Sequence, residues 1–357
     1  MIFSIEKGGA ETYLYNLLDN PKEDVNFFVV CDHEGSNHEK VLKKCNNVEI
    51  IRMRNVFDIV AAKKVANYCK ANDIHIIQTH FLRENYIGVL SKIFNPRIKI
   101  IWTTHLMMEN NSIVRFFNRI FSKFADRIVC VSKAVESSLI NEGISAEKTQ
   151  VIYNGVDTEY FRPMEGGSIR DELNIGKDTL VLTTVSRFNQ EKGHSFLIEG
   201  LKELKTHISN FKALLVGEGE EEDFIRQKVK EYDLQNQVIF LGYRDDIPEI
   251  LAATDIYISP SKNEAISFSI LEALSCNIPV VATEVGGVPE IFEKGKVGVL
   301  IPFGDKVRFA KVIFELYNNN QQLDLMKSNC RNMVTDNFSQ INMLKETYDL
   351  YYGLLKR

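Results

Sequence analysis

No run of this sequence approaches the ~20 consecutive apolar residues that a membrane span needs. Its first residues, MIFSIEKGGAE, also lack a basic segment followed by a long apolar one. The expectation is a cytoplasmic chain, neither secreted nor membrane-spanning. Cysteine is sparse: Cys31, Cys45, Cys69, Cys130, Cys276 and Cys330 form no C-x-x-C pair and have no histidine at metal-ligand spacing. A zinc site and a disulfide framework are both excluded, and the thiols are expected to be reduced and mostly buried. No metal and no other cofactor is expected. An excess of either charge is missing as well, since the net charge is only −5 with acids and bases interspersed. Nothing resembles the basic stripe that duplex nucleic acid requires. Internal repeats and low-complexity segments are absent.

What is present is enough apolar material for two cores: 357 residues, 45% of them hydrophobic. Short β-branched runs at 26–31, 48–52, 74–79, 98–104 and 127–131 alternate with helical periods such as 56–72 and 113–124. A second series follows at 180–186, 212–216, 238–241, 256–259 and 280–283. That alternation predicts parallel sheets with helices on both faces, in two doubly wound domains. Asn154-Gly155-Val156-Asp157 and then Pro163, Gly166 and Gly167 interrupt the periodicity between the two series. The expected organisation is a domain over 1–158, a second over 159–336, and a helix over 337–357 packing back across the join. Only six residues precede Lys7-Gly8-Gly9, so the opening strand is expected to be unusually short, or the recorded start to lie downstream of the true one.

Several positions have the character of a site. Gly8-Gly9 precedes a helical segment, where bare amides can approach an anion; a plain strand-to-helix turn explains the pair equally well. Arg187 ends the first strand of the second series, with Glu191-Lys192-Gly193 just before a helix. A planar fork and a point charge at the carboxyl end of a parallel strand suit a diphosphate, although a solvated loop is the simpler alternative. The richest stretch is SKNEAISFSILEALSCNIPVVATEVGGVPEI. Glu264 lies before a helix and Glu272 one turn inside it, so both carboxylates can face one cleft and accept from sugar hydroxyls. Between them the amides of Ser267, Phe268 and Ser269 point out of the helix N-terminus toward any phosphate. His80, in IIQTHF, and His105, in IWTTHLMME, end two strands, where side chains are expected to enter an interdomain crevice; strand-end histidines are more often structural. At 112–124 the apolar Ile113, Val114, Phe116, Phe117, Ile120, Phe121 and Phe124 oppose Arg115, Arg119 and Lys123. Such a helix either lies on an anionic membrane surface or buries its apolar face in the first domain.

In order along the chain, GGAETYLYNLL, TTH, ADRIVCVS, VIYNGVDTEYF, VSRFNQEKG, LLVGEGE, FLGYRDDI, the two glutamates eight apart and GGVPEI resemble glycosyltransferase family 4. The resemblance implies the α/β GT-B fold, two Rossmann-like doubly wound domains facing across a cleft. It also implies a retaining, metal-independent transfer of a hexose-type sugar from a nucleotide diphosphate donor to a glycan or lipid-linked acceptor, in polysaccharide or glycolipid assembly. By the same resemblance Gly9, Arg187 and Lys192 contact the donor diphosphate, Glu272 the ribose and Glu264 the sugar. Tyr243 would lie beside the base, and His105 matches the family's active-site histidine. Ala265-Ile266-Ser267 departs from the usual Gly-Phe/Leu-Gly/Pro, and Asn277 replaces a common glycine after the helix. Asparagine is the next-best residue for a left-handed helix end. An epimerase of the same fold and a catalytically silent nucleotide-sugar-binding protein stay open. A dinucleotide oxidoreductase is disfavoured, because Gly217-Glu218-Gly219 lacks a third glycine and runs into Glu220-Glu221-Glu222.

Overall fold

The computed structural model describes residues 9–35, 38–107, 110–165 and 167–356. Gly8, and any strand ahead of it, lies outside the described residues. The chain divides into two compact units, Met1–Asn154 with Ile341–Arg357, and Gly155–Gln340. The first contains β1 (Val29–Cys31), β2 (Val48–Ile50), β3 (Ile76–Thr79), β4 (Lys99–Thr104), β5 (Arg127–Cys130) and β6 (Thr149–Val151). The second contains β7 (Leu180–Val185), β8 (Phe211–Val216), β9 (Val238–Gly242), β10 (Ile256–Ser259), β11 (Val280–Thr283) and β12 (Gly298–Ile301). Every described strand pairing is parallel.

In the first unit β1 pairs with β2, and β3-β4-β5-β6 form a second sheet. The helix Gly9–Asp19 and the helix Gln340–Leu355 share one core with it, in which Tyr13 and Leu17 meet Ile101, Val129, Ile152, Met343, Tyr348 and Leu354. Each such large apolar side chain contributes roughly 1.5–3 kcal/mol when fully buried, so the C-terminal helix is an integral layer of this unit.

The second unit has one sheet in the order β9-β8-β7-β10-β11-β12. That is the doubly wound arrangement, in which the first strand of the unit, β7, lies next to the fourth, β10, and the winding reverses between them. β10 and β11 are buried along their whole length, as expected of β-branched strands covered on both faces.

The joins fall at 154/155 and 340/341, against 158/159 and 336/337 expected from composition. Val156 pairs with Ser339, and a Cβ on Gly155 would come within 2.5 Å of the Ser339 carbonyl oxygen. The two crossing strands of chain are thus zipped together inside the second unit. The amphipathic helix spans Ser112–Phe121, shorter than 112–124. Its cations are not clear of acids: Arg119 donates to the Glu142 carbonyl at 2.5 Å, and Arg115 lies 3.6 Å from the Glu142 carboxylate. Its apolar face is only partly used, since Phe117 and Phe121 pack on Phe57 while Ile113, Phe116 and Phe124 are each more than half exposed.

Candidate active site

At the switch point of the second sheet, the segments leaving β7 and β10 meet. Tyr257 in β10 locks the two strand ends together, accepting the Val185 amide and donating to the Val185 carbonyl, both at 3.2 Å. Arg187 leaves β7 exposed to solvent. The chain then makes a short turn, Gln190–Lys192, capped by Asn189, whose Oδ1 accepts the Lys192 amide at 3.1 Å. Gly193 follows with φ +67°, and a Cβ there would lie 2.0 Å from the Pro260 carbonyl oxygen. That conformation favours glycine, and the close approach admits nothing else. The approach brings Lys192 Nζ to 2.5 Å from Glu264 Oε2, where the Ser261 hydroxyl also donates at 3.3 Å. The Glu264 carbonyl accepts the Gly287 amide at 3.1 Å, so the GGVPEI turn holds the backbone that presents this carboxylate.

Four residues on, the helix Phe268–Ser275 begins, with Ser267 as its N-cap; the Ser267 hydroxyl accepts the Ile270 amide at 3.4 Å. The helix itself does not use the amides of Phe268 and Ser269, which stand at its positive end. Glu272 lies one turn in, half-buried, and burial pushes its carboxyl up to about 7. At the far end Asn277 takes φ +63°, and its side-chain oxygen accepts the Arg331 amide at 3.2 Å, a bond that glycine cannot make. Tyr243 follows β9, exposed, and donates to Asp245 at 2.8 Å, which pushes its hydroxyl up to about 12.

In the first unit Gly9 heads the helix Gly9–Asp19. His80 follows β3 and His105 follows β4, and the neighbouring strands stack their rings 5.2 Å apart. His80 Nδ1 lies 2.8 Å from His105 Nε2, so one proton is shared along that line. His80 is only 4% exposed, an interior partner of His105 rather than an open side chain. Burial lowers both rings, His105 to about 4 and His80 well below the usual imidazole value, with His105 as a second cause for His80. Both are neutral near pH 7. Tyr13 meets both rings edge-on, and its hydroxyl accepts from Gln78, which also donates to Thr103 at 2.7 Å.

Two family models match the chain: glycosyltransferase family 4 over residues 7–160, and glycosyl transferases group 1 over 167–333. The chain belongs to glycosyltransferase family 4. Among relatives of this family 4 chain, the N-acetyl-alpha-D-glucosaminyl L-malate synthase of Bacillus anthracis is 27% identical, covering 84% of this chain and 80% of the relative. The UDP-Gal:alpha-D-GlcNAc-diphosphoundecaprenol alpha-1,3-galactosyltransferase of Escherichia coli is 24% identical over 96% and 92%. In structure the chain is similar to Anabaena HepE, solved in complex with UDP and glucose, with a TM-score of 0.85, 25% identity and 98% coverage of both chains. A glycosyltransferase from Rickettsia africae has the same GT-B fold, with a TM-score of 0.88 at 22% identity, over 100% of this chain and 98% of that one.

Close backbone approach accounts for Gly217 and Gly219. A Cβ on either would come within about 2 Å of a carbonyl oxygen, 2.1 Å from Ser186 and 2.2 Å from Phe188. Both glycines let the loop after β8 press on the Arg187 segment, and the dinucleotide reading loses its support. The sequence pattern pointed to Arg187, Lys192, Glu264 and Glu272 singly. It carried no sign that Lys192 and Glu264, 72 residues apart, form an ion pair, or that His80 and His105 form one unit.

Proposed function

We propose that this chain is a retaining, metal-independent glycosyltransferase, transferring a hexose-type sugar from a uridine diphosphate donor to a hydroxyl of a lipid-linked glycan acceptor. The observation that carries the reading is the cluster at the switch point: Arg187, the Lys192–Glu264 pair and the head of the helix Phe268–Ser275 converge where a doubly wound sheet takes its ligand. The names of relatives support the substrate classes, since one acts with UDP-galactose on a diphosphoundecaprenol-linked sugar.

The bond from the anomeric carbon to the diphosphate oxygen breaks, and its electron pair leaves with the phosphate. Arg187, Lys192 and the amides of Phe268 and Ser269 stabilise that growing charge more than they stabilise the ground state. The acceptor oxygen bonds the anomeric carbon on the same face, and its proton passes to the departing phosphate oxygen. Glu264 and neutral His105 orient the sugar, Glu272 accepts from the ribose hydroxyls, and Gly9 and Tyr243 border the donor. Incubation with UDP-sugars and a diphosphate-lipid acceptor tests this directly. An α-linked product formed equally well in EDTA supports it. A β-linked product, or donor conversion without acceptor as an epimerase would give, overturns it.

The same reading places the chain on an anionic membrane surface through residues 112–124. Ile113, Phe116, Ile120 and Phe124 are exposed beside Lys123 and Arg115, and no described helix is long and apolar enough to cross a membrane. Because Arg119 is tied to Glu142, the apolar stripe contributes most. Co-sedimentation with phosphatidylglycerol vesicles is expected to be lost on Phe116→Ser with Ile120→Ser, and only weakened when Arg115 and Lys123 become Gln.

A further inference from the structure

Behind the histidine pair, the first unit holds a directed chain of hydrogen bonds. Gln78 and Thr103 lie in the neighbouring parallel strands β3 and β4, each two residues ahead of one of the histidines. The Gln78 side-chain amide spends one N–H on the Thr103 hydroxyl at 2.7 Å and the other on the Tyr13 hydroxyl at 3.2 Å, while its carbonyl accepts from the Tyr351 hydroxyl. The Thr347 hydroxyl donates to the Met343 carbonyl at 2.8 Å, so toward the Tyr13 hydroxyl, 3.2 Å away, it accepts. The order Gln78 N–H, Tyr13 O–H, Thr347 O–H, Met343 carbonyl is thereby fixed at each link. Met343, Thr347 and Tyr351 all belong to the helix Gln340–Leu355.

The histidine rings need such support. Both are neutral, so the bond between them lacks the strength of a charge-assisted one. The torsion that turns an imidazole has no sharp staggered wells, so packing must set it. Tyr13 supplies that packing: it is fully buried, and its ring meets His80 at 5.7 Å and His105 at 5.4 Å, edge-on in both cases. What holds the Tyr13 ring in turn is its hydroxyl, tied on one side to the strand residue Gln78 and on the other to the C-terminal helix.

We propose that Tyr13 and Gln78 are positioning residues for the histidine pair, and that Thr347 and Tyr351 of the C-terminal helix act through them on the transfer step. The inference rests on the glycosyl-transfer reading for its effect on rate, but not for its effect on the rings.

Thr347→Val keeps the shape of the side chain and removes the acceptor for Tyr13, Tyr351→Phe removes the donor to Gln78, and Thr347→Ser keeps the hydroxyl. The chain has seven histidines, few enough to follow each by NMR of the imidazole nitrogens, with His80→Gln and His105→Ala assigning the pair. Thr347→Val and Tyr351→Phe are expected to move the His80 and His105 signals and to leave in place those of His33 and His75 in the same unit and of His194 and His207 in the other. Each should lose about 3–10-fold in kcat, with donor KM and calorimetric UDP affinity unchanged. Thr347→Ser is expected to keep the wild-type spectrum and rate. Unmoved pair signals in both variants would overturn the proposal. So would a change spread evenly over all the rings, or a Thr347→Ser protein as slow as Thr347→Val, since these residues would then only hold the fold. Moved pair signals in a protein that transfers no sugar would uphold the positioning and sink the transferase reading. Moved signals with an unchanged rate in an active protein would overturn the proposal and leave the transferase reading standing.

Discussion

The two units gather their candidate site side chains under opposite electrostatic conditions. In the second, Arg187 is open to solvent and Lys192 and Glu264 form an ion pair at 2.5 Å beside a helix N-terminus. In the first, two neutral histidines share a proton behind Tyr13. Mobile charge suits a ligand that arrives ionised and leaves with more charge. A neutral pair suits a group that must be placed and not charged. The contrast implies that damage to the second unit should first cost affinity and charge stabilisation, whereas damage to the first should cost rate with donor affinity intact.

The largest effect should come from the double change Arg187→Ala, Lys192→Ala. Hydrogen bonds to charged groups contribute ~1.5–3 kcal/mol each, so kcat/KM should fall by about 10²–10⁴-fold and calorimetric UDP affinity should fall with it. Full nucleotide affinity in that variant would break the comparison at its root. Next, His105→Ala should lose roughly 10²-fold in kcat with donor KM nearly unchanged. His80→Gln should lose only about tenfold, as expected of a residue that positions another. The ring pKa of about 4 for His105 predicts a wild-type rate that is flat, as far as these rings are concerned, from pH 6 to 8. A rate loss in His80→Gln as large as in His105→Ala would mean that His80 touches substrate itself.

Gly193→Ala sharpens the other half. With φ +67° and the Pro260 oxygen at 2.0 Å from the new Cβ, thermal unfolding should show a loss of more than about 1–2 kcal/mol. UDP binding should weaken as Lys192 moves off Glu264. Glu272 gives the smallest effect and a signed one. Its carboxyl sits near 7 and accepts ribose hydroxyls best when ionised, so donor KM should fall as pH rises through about 7, and Glu272→Gln should flatten that dependence. The stability sign is opposite. The folded state holds this proton at pH values where the unfolded chain, near 4.5, has released it, so this contribution is full below 4.5 and is lost as pH rises through about 7. A donor KM independent of pH in wild type would remove Glu272 from the ribose.

Most strands were legible because β-branched runs such as LVLTTV and VVAT are buried on both faces. β6 and β12 were not: TQV is half-buried at a sheet edge, and GVLI opens on a glycine within KGKVGVLI. The helix Leu82–Ser91 also left no mark, since seven of its ten residues are buried and it has no sustained polar face to give a helical period. At the site, residues adjacent to strand and helix ends could be read one at a time. Pairings could not, because Lys192 with Glu264, His80 with His105 and Arg119 with Glu142 depend on sheet order and register, which periodicity does not encode.

The helix Gln340–Leu355 completes the core of the first unit after the chain has passed through all of Gly155–Gln340. During synthesis at ~5–20 residues per second, the face of β3–β6 that receives Tyr348 and Leu354 therefore stays uncovered for roughly ten to forty seconds. The histidine pair has no finished setting in that interval, because Tyr13, which packs against both rings, waits for Thr347 to meet its hydroxyl. A chain truncated after residue 340 would thus carry a complete second unit and an unfinished first one, and it would be the second unit, not the first, that resists protease.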